Sequence, residues 1–270
     1  MLLFLTLEKI GKDTNNIKIK IEGLLKKMTK YNLSIVIPCY NEEKNLPFLV
    51  ESIKDLIEKN KNIALEVVLV DNGSKDNSKN ILKTYENLDG IKICYVDTNI
   101  GYGNGILQGL KLATGDVLSW THADLQTDLD DVITAYKLYL SHANKKLMIK
   151  GKRKNRNLLD NFFTLGMQFV VMLLLKANIN DVNAQPKLFS KEFYNEILSE
   201  KAPLDFSLDL FLLYWAIKKN YETATVDVIF NKRLYGEAKG GGSLKTKIKL
   251  IIRTFKYIWL LKKEINKKIS

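Results

Sequence analysis

Apolar and polar positions alternate along the chain on two different periods. Short β-branched runs, LSIVIP (33–38), LEVVLV (65–70), IKICYV (91–96) and DVLSW (116–120), read as buried strands. Segments with helical spacing of apolar residues lie between and after them, at 43–59, 75–88, 104–113 and 128–143. Strands alternating with helices predict an α/β fold, a mostly parallel sheet with helices on both faces.

The polar residues follow a second rule. PCYNEE follows the first run, DNGSKDNS the second, DTNIGYGNG the third and THADLQTD the fourth. Acidic, amide and glycine residues thus collect at the carboxyl ends of the strands, where open α/β sheets bind ligands. Each segment alone would serve as a turn or helix cap. Their recurrence at one sheet edge predicts a site.

Composition leaves this picture intact. The chain has 270 residues, 46% of them hydrophobic and 27% charged, enough to bury a core. Cys39 and Cys94 show no metal-binding spacing and read as reduced thiols. The start, MLLFLTLEKIGKD, has no basic segment before its apolar residues and does not read as a signal peptide. The longest apolar stretch, 162–175, has 14 residues and includes Thr164, Gly166 and Gln168, whereas a membrane span needs roughly 20.

Charge changes the picture more. Of the net +12, residues 232–270 hold 12 basic against 2 acidic side chains, while 1–231 are nearly neutral. Such a tail seeks a membrane, phosphate groups or nucleic acid. Ile248, Ile251, Ile252, Phe255, Ile258 and Trp259 fall on one helical face; Lys245, Lys249, Arg253, Lys256 and Lys263 cover much of the other. A basic amphipathic helix carrying Tyr257 and Trp259 suits a membrane interface, or packs on the domain. No nucleic-acid recognition motif accompanies it, and its aromatics lie with the apolar residues, so nucleic acid is not expected as a partner.

From Leu33 to Lys239 the motifs resemble the family 2 glycosyltransferases of the GT-A fold, especially the polyprenyl-phosphate sugar transferases typified by dolichol-phosphate mannose synthases. The matching stretches are SIVIPCYNEEKNL, VLVDNGSKDNS, NIGYGNGILQGLKLATGD and THADLQTD. The resemblance implies a GT-A domain over 31–239, between an extension at 1–30 and a basic tail at 240–270. It implies that Pro38, Tyr40, Glu42 and Asp71 line a nucleoside pocket, with Asp71 accepting from a base N–H. Gly101, Gly103 and Gly105 would permit close backbone approach, Gly103 at the nucleotide. A dinucleotide-binding reading is disfavoured, since these glycines follow the third strand and the first turn has none.

Sugar transfer from a nucleoside diphosphate builds negative charge on the leaving group, usually met by a divalent ion. Asp124 and Gln126 offer oxygen ligands for Mg2+ or Mn2+. If the segment is extended, alternation points both the same way. His122 stands where the family carries its first Asp. It reads as a weak metal ligand, a contact to diphosphate or sugar, or a turn residue. Asp128, Asp130 and Asp131 read as capping and first-turn charges.

Further cations follow. Arg153 and Arg156 lie in KGKRKNR (150–156), matching a basic segment that faces phosphate in the family. DVNAQPKLFSKEF resembles D-x-x-x-G-F-K-L-F, placing Lys187 at the acceptor side, with Gln185-Pro186 replacing Gly-Phe. FNKRLYGEAK resembles F-x-x-R-x-x-G-E-S-K, with Ala238 for Ser. It nominates Arg233 as the phosphate-pairing, catalytic guanidinium and Lys239 beside it.

The expectation is an inverting glycosyltransferase, peripheral at the cytoplasmic membrane face. It would take a UDP- or GDP-sugar and a polyprenyl phosphate. A glycan hydroxyl acceptor would instead need a base, with Asp181, Asp205 and Asp209 as candidates and Asp209 the one in the family's acidic position. A non-catalytic nucleotide-sugar binder is the alternative that His122 supports.

Overall fold

The computed structural model describes residues 32–154, 179, 181–199, 202–231, 233, 252 and 255–259. The extension at 1–30, the apolar stretch at 162–175, Arg156, Lys239 and most of the tail lie outside them. Strand β1 (Leu33–Cys39) is followed by helix α1 (Leu46–Lys59), β2 (Leu65–Asn72), α2 (Ser78–Lys83), β3 (Ile91–Val96), α3 (Tyr102–Leu112), β4 (Val117–Trp120) and α4 (Asp130–Ser141). All four predicted strands and all four predicted helices form. Helix α2 stops short of the predicted 88. Beyond Lys83 the chain closes successive three-residue turns (Tyr85 N–H to Leu82 O, Leu88 N–H to Tyr85 O) down to Gly90, at φ 75°.

Beyond α4 come β5 (Leu147–Lys154), β6 (Lys187–Ser190) and a short α5 (Lys191–Phe193) that runs into a π-helical turn, Tyr194–Leu198. Helix α6 (Leu208–Lys218) and β7 (Glu222–Ile229) complete the described elements. The seven-stranded sheet has the order β3-β2-β1-β4-β6-β5-β7. Only β6 runs against its neighbours, pairing antiparallel with both β4 and β5. It is the hinge between the α/β half read from the sequence and the β5–β7 half.

Alternation along β1 and β2 sorts their side chains between two cores. Leu33, Ile35, Ile37, Leu65, Val67 and Leu69 join α1 and α4 on one face. Val36, Val68 and Val70 join α3, α5 and α6 on the other. Helix α6, LDLFLLYWAIK, is apolar nearly all round and buried accordingly, as expected of a helix packed on several sides.

The opposite end of the sheet from the predicted site carries a buried charge. Glu66 is fully buried at the start of β2. It accepts from Ser34 Oγ (2.5 Å) and the Thr114 backbone N–H (2.5 Å), and pairs with Lys92 Nζ (2.6 Å). A carboxylate in an apolar strand is tolerable because each oxygen is matched.

Candidate active site

The β1 and β2 loops are laced together. Asn41, at φ 54°, donates its backbone N–H to Ser74 Oγ (3.0 Å), and its side-chain oxygen accepts from Lys75 N–H (2.8 Å). Glu42 N–H donates to Ser78 Oγ (2.9 Å), Glu43 N–H to Asp76 Oδ2 (3.2 Å) and Asn77 N–H to Glu43 Oε2 (3.0 Å). These bonds fix Pro38, Tyr40, Glu42 and Asp71 at one sheet edge, with Cys39 opposite Asp71 in the β1–β2 register. Asp71 is 2% exposed, and its Oδ1 accepts from Ser74 N–H (3.1 Å). Glu42 Oε2 accepts from Asn45 Nδ2 (2.6 Å). Burial, with Glu42 and Asp71 nearby, pushes the Cys39 thiol up, which suits an inert thiol.

The segment after β4 differs from the extended form expected. Thr121 and Thr127 join hydroxyls across it (3.2 Å), and Leu125 adopts φ 57°. Gln126 N–H turns back onto Asp124 Oδ1 (3.2 Å). It is a tight Asx-type turn. Asp124 and Gln126 nevertheless converge, by the turn and not by strand alternation. Their meeting point is Arg233: its Nη2 lies 2.6 Å from Asp124 Oδ2 and its Nε 3.4 Å from Gln126 Oε1. Asn231 delivers the arginine, since its N–H donates to Gln126 O (2.8 Å) while Gln126 Nε2 donates to Asn231 O (2.9 Å).

His122 is only half-buried by exposed area, and its ring centroid lies 5.9 Å from that of Tyr102. Removal from water lowers its basicity, with Lys187 and Arg233 acting in the same sense and Asp124 and Asp209 opposing. The site thus sets an imidazole of lowered basicity beside one carboxylate, Asp124. Tyr102 also stacks on Phe206, centroids 4.9 Å apart at 8°.

Several nominated residues lie elsewhere than expected. Lys187, nominated for the acceptor side, is fully buried, with its ammonium held by protein groups. Its Nζ pairs with Asp209 Oδ1 (3.0 Å) and donates to Val182 O (2.8 Å) and Ala184 O (2.6 Å). Asp209, nominated as a base, is 2% exposed and takes Gln185 Nε2 (3.1 Å) as well. The same amide donates to Tyr102 Oη (3.1 Å). The physical reason is that β6 lies between β4 and β5 and is buried on both faces, so Lys187 has no solvent-facing side to take and its charge demands a buried partner. Arg153, expected on phosphate, instead grips Asp181 through both its backbone N–H (3.0 Å) and its Nε (2.9 Å). Asp205 accepts from Ser207 N–H (2.9 Å) just ahead of α6.

The glycines also take other neighbours. A Cβ at Gly103 would lie 2.5 Å from Pro203 O, and one at Gly101 2.2 Å from Leu204 O. They admit the 203–205 segment onto the start of α3, where Asn104 N–H donates to Leu204 O (2.9 Å). Gly103 is thus packed against the protein backbone at 203–205.

Reasoning from the sequence missed Tyr102, Gln185 and Phe206, and also Lys150, which is 3% exposed with its pKa lowered by burial to about 8. The apolar run Leu147–Ile149 leading into Lys150 could have signalled a buried lysine, had β5 been read as a strand. Gln185 stood out in the sequence only as a departure from the family's Gly-Phe, with nothing local to mark its bonds to Asp209 and Tyr102.

Among the described residues no group of three or more His, Cys, Asp or Glu side chains could hold a metal. Two oxygens, Asp124 Oδ2 and Gln126 Oε1, do converge on one cation, here a guanidinium, and their chemistry suits Mg2+ or Mn2+. The residues therefore fit a divalent ion with a single charged ligand.

Comparison with known proteins places these features. Residues 34–198 match the model of glycosyl transferase family 2. A dolichyl-phosphate beta-glucosyltransferase of Trichomonas vaginalis is 27% identical over 231 residues, 81% of this chain and 72% of that protein. One of Dictyostelium discoideum is 26% identical over 213 residues, 73% of this chain and 65% of that protein. Glucosyl-3-phosphoglycerate synthase from Mycobacterium tuberculosis, solved with Mn2+, UDP-glucose and phosphoglyceric acid, superposes with a TM-score of 0.63 at 15% identity. The match covers 84% of this chain and 80% of that one. The last is a likeness of fold, and the fold is of the GT-A type.

Proposed function

The chain belongs to glycosyl transferase family 2, and from that premise we propose that it moves a sugar from a nucleoside-diphosphate donor to a polyprenyl phosphate at a membrane surface. The relatives named above act on dolichyl phosphate, which supports the lipid acceptor. One observation carries the reading within this chain: of Asp181, Asp205 and Asp209, the carboxylates a hydroxyl acceptor would need as a base, two are ion-paired, Asp181 with Arg153 and Asp209 with the buried Lys187. Asp205 accepts the Ser207 N–H at the start of a helix. A phosphate acceptor needs no such base, because its oxygen is already anionic.

In the proposed reaction a phosphate oxygen of the acceptor bonds to C1 of the sugar as the bond from C1 to the diphosphate breaks, inverting that carbon. The loops at Pro38–Glu42 and Asp71 hold the nucleoside end. Arg233, 19% exposed at its side chain, faces the developing charge with a fork suited to phosphate oxygens. Asp124 and Gln126 are the residues that would hold Mg2+ or Mn2+, with His122 beside them; such an ion neutralises charge on the leaving diphosphate. Tyr102 and Phe206 form a stacked wall beside His122.

The membrane end of the proposal rests on the tail. Ile258 is fully buried in the core, whereas Ile252 (62%), Phe255 (39%) and Trp259 (60%) are exposed with Lys256 among them. That presents an apolar and aromatic face flanked by positive charge, suited to the cytoplasmic face of a membrane. No helix among the described residues is long and apolar enough to cross one.

Incubation of the purified chain with labelled UDP- or GDP-sugars and a short polyprenyl phosphate tests the reading. Label extractable into organic solvent supports it; label appearing only on soluble glycans overturns it.

A further inference from the structure

We propose that Arg233 is a built-in stand-in cation, so that its guanidinium and a divalent metal ion are alternative occupants of the Asp124 carboxylate. The inference rests on the glycosyltransferase reading above, but concerns this chain's own residues before any donor arrives. Asp124 is a single carboxylate, and both its oxygens are engaged. Oδ1 accepts from Gln126 N–H at 3.2 Å, and Oδ2 holds Arg233 Nη2 at 2.6 Å. The other oxygen suited to a metal, Gln126 Oε1, faces Nε of the same guanidinium at 3.4 Å. A metal and Arg233 would therefore claim the same two atoms.

They cannot share them. The Asp124 side chain is 9% exposed and that of Arg233 19%, so water screens little, and a divalent ion at hydrogen-bonding range of a guanidinium meets strong repulsion. His122 does not help, because an imidazole carries no negative charge where a second carboxylate would offset the extra charge. The guanidinium is also anchored in place. Asn231 and Gln126 exchange two hydrogen bonds two residues before it, so it returns to Asp124 unless another anion takes it. The metal-free site is thus a closed and neutralised state. A divalent ion opens it by displacing Arg233 from Asp124.

The test is a titration of the full chain with Mn2+ alone, read by electron paramagnetic resonance of the free ion. Removing the charge in Arg233→Gln should tighten Mn2+ binding at least tenfold, and Asp124→Asn in that background should abolish the gain. Equal or weaker binding by Arg233→Gln would overturn the proposal. If that variant fails to fold, as judged by its thermal transition, Arg233→Lys serves instead. It keeps a charge but loses the fork and the Gln126 contact, and should bind Mn2+ several-fold tighter than the parent chain. Binding unchanged in the lysine variant counts against competition equally. Because the titration contains neither sugar donor nor acceptor, its failure would leave the transfer assay, and the function it tests, untouched.

Discussion

Arg233 and Asp124, 109 positions apart in sequence, meet at 2.6 Å at the carboxyl edge of the sheet. The contact joins the turn after β4 to the segment after β7. Its consequence for catalysis is direct. Asp124→Ala should lower kcat/KM for sugar transfer by roughly 10²- to 10³-fold, the loss typical of removing one group that organises developing charge. Assays with labelled nucleotide sugar check this, and near-normal transfer would remove Asp124 from the site.

His122 offers a gain-of-binding experiment. Restoring a second carboxylate with His122→Asp adds a charged oxygen ligand beside Asp124, and Mn2+ affinity should rise roughly tenfold, equivalent to about 1.4 kcal/mol. Calorimetric titration with Mn2+ reads the change. No tightening would mean that this side chain faces substrate or supports the turn.

The Lys187–Asp209 pair should be a stability element. Lys187→Met leaves Asp209 charged and buried without its partner, at a cost of about 3–5 kcal/mol. Removing both charges in Lys187→Met with Asp209→Leu should recover most of that loss. Denaturant midpoints of the three proteins decide it; a double variant no better than the single would show that the pair is not an isolated couple.

Asp131 predicts a pH dependence at the first turn of α4. Burial, reinforced by Asp128 and Asp130, raises its pKa to about 6, and its Oδ2 has no hydrogen-bond partner among the described residues. A carboxyl raised in the folded state binds its proton more tightly there than in the unfolded chain, so this group adds stability as pH falls through 6 toward 4. Asp131→Asn should flatten that rise and stabilise the protein at pH 7.5 by about 1 kcal/mol, a figure discounted for the group's partial exposure to screening solvent. Thermal melts at pH 7.5 and 5 measure both effects.

The exposed face at 252–259 should bind anionic bilayers. Phe255→Ser with Trp259→Ser removes two side chains whose burial is worth about 1.5–3 kcal/mol each, so co-sedimentation with phosphatidylglycerol vesicles should drop at least tenfold. Unaltered binding would argue against this face as the membrane contact.

Much of the α/β half was legible because its information is local. Runs such as LEVVLV and IKICYV carry enough β-branched, apolar character to declare strands. The loops that follow them carry polar residues with little other reason to cluster. The family resemblance was readable for the same reason: its motifs are short, and they lie at strand ends. Gly103 shows the limit of that reading. A glycine-rich stretch announces close approach but not what approaches, and here Pro203 and Leu204 do.

The sequence by itself determined the parallel sheet and nominated its carboxyl edge, with Asp124 and Gln126, as the place where chemistry collects, since each follows from residue type and short spacing. Only the tertiary structure decided which charges face each other. Lys187, Arg153 and Arg233 look alike as cations in a basic half-chain. Yet β6 turns the first inward to Asp209, β5 sets the second on Asp181, and the segment after β7 carries the third to Asp124. The reason is physical: a charge's partner is fixed by where long-range strand pairing places it and by the cost of burying it alone, and neither is written in its immediate neighbours.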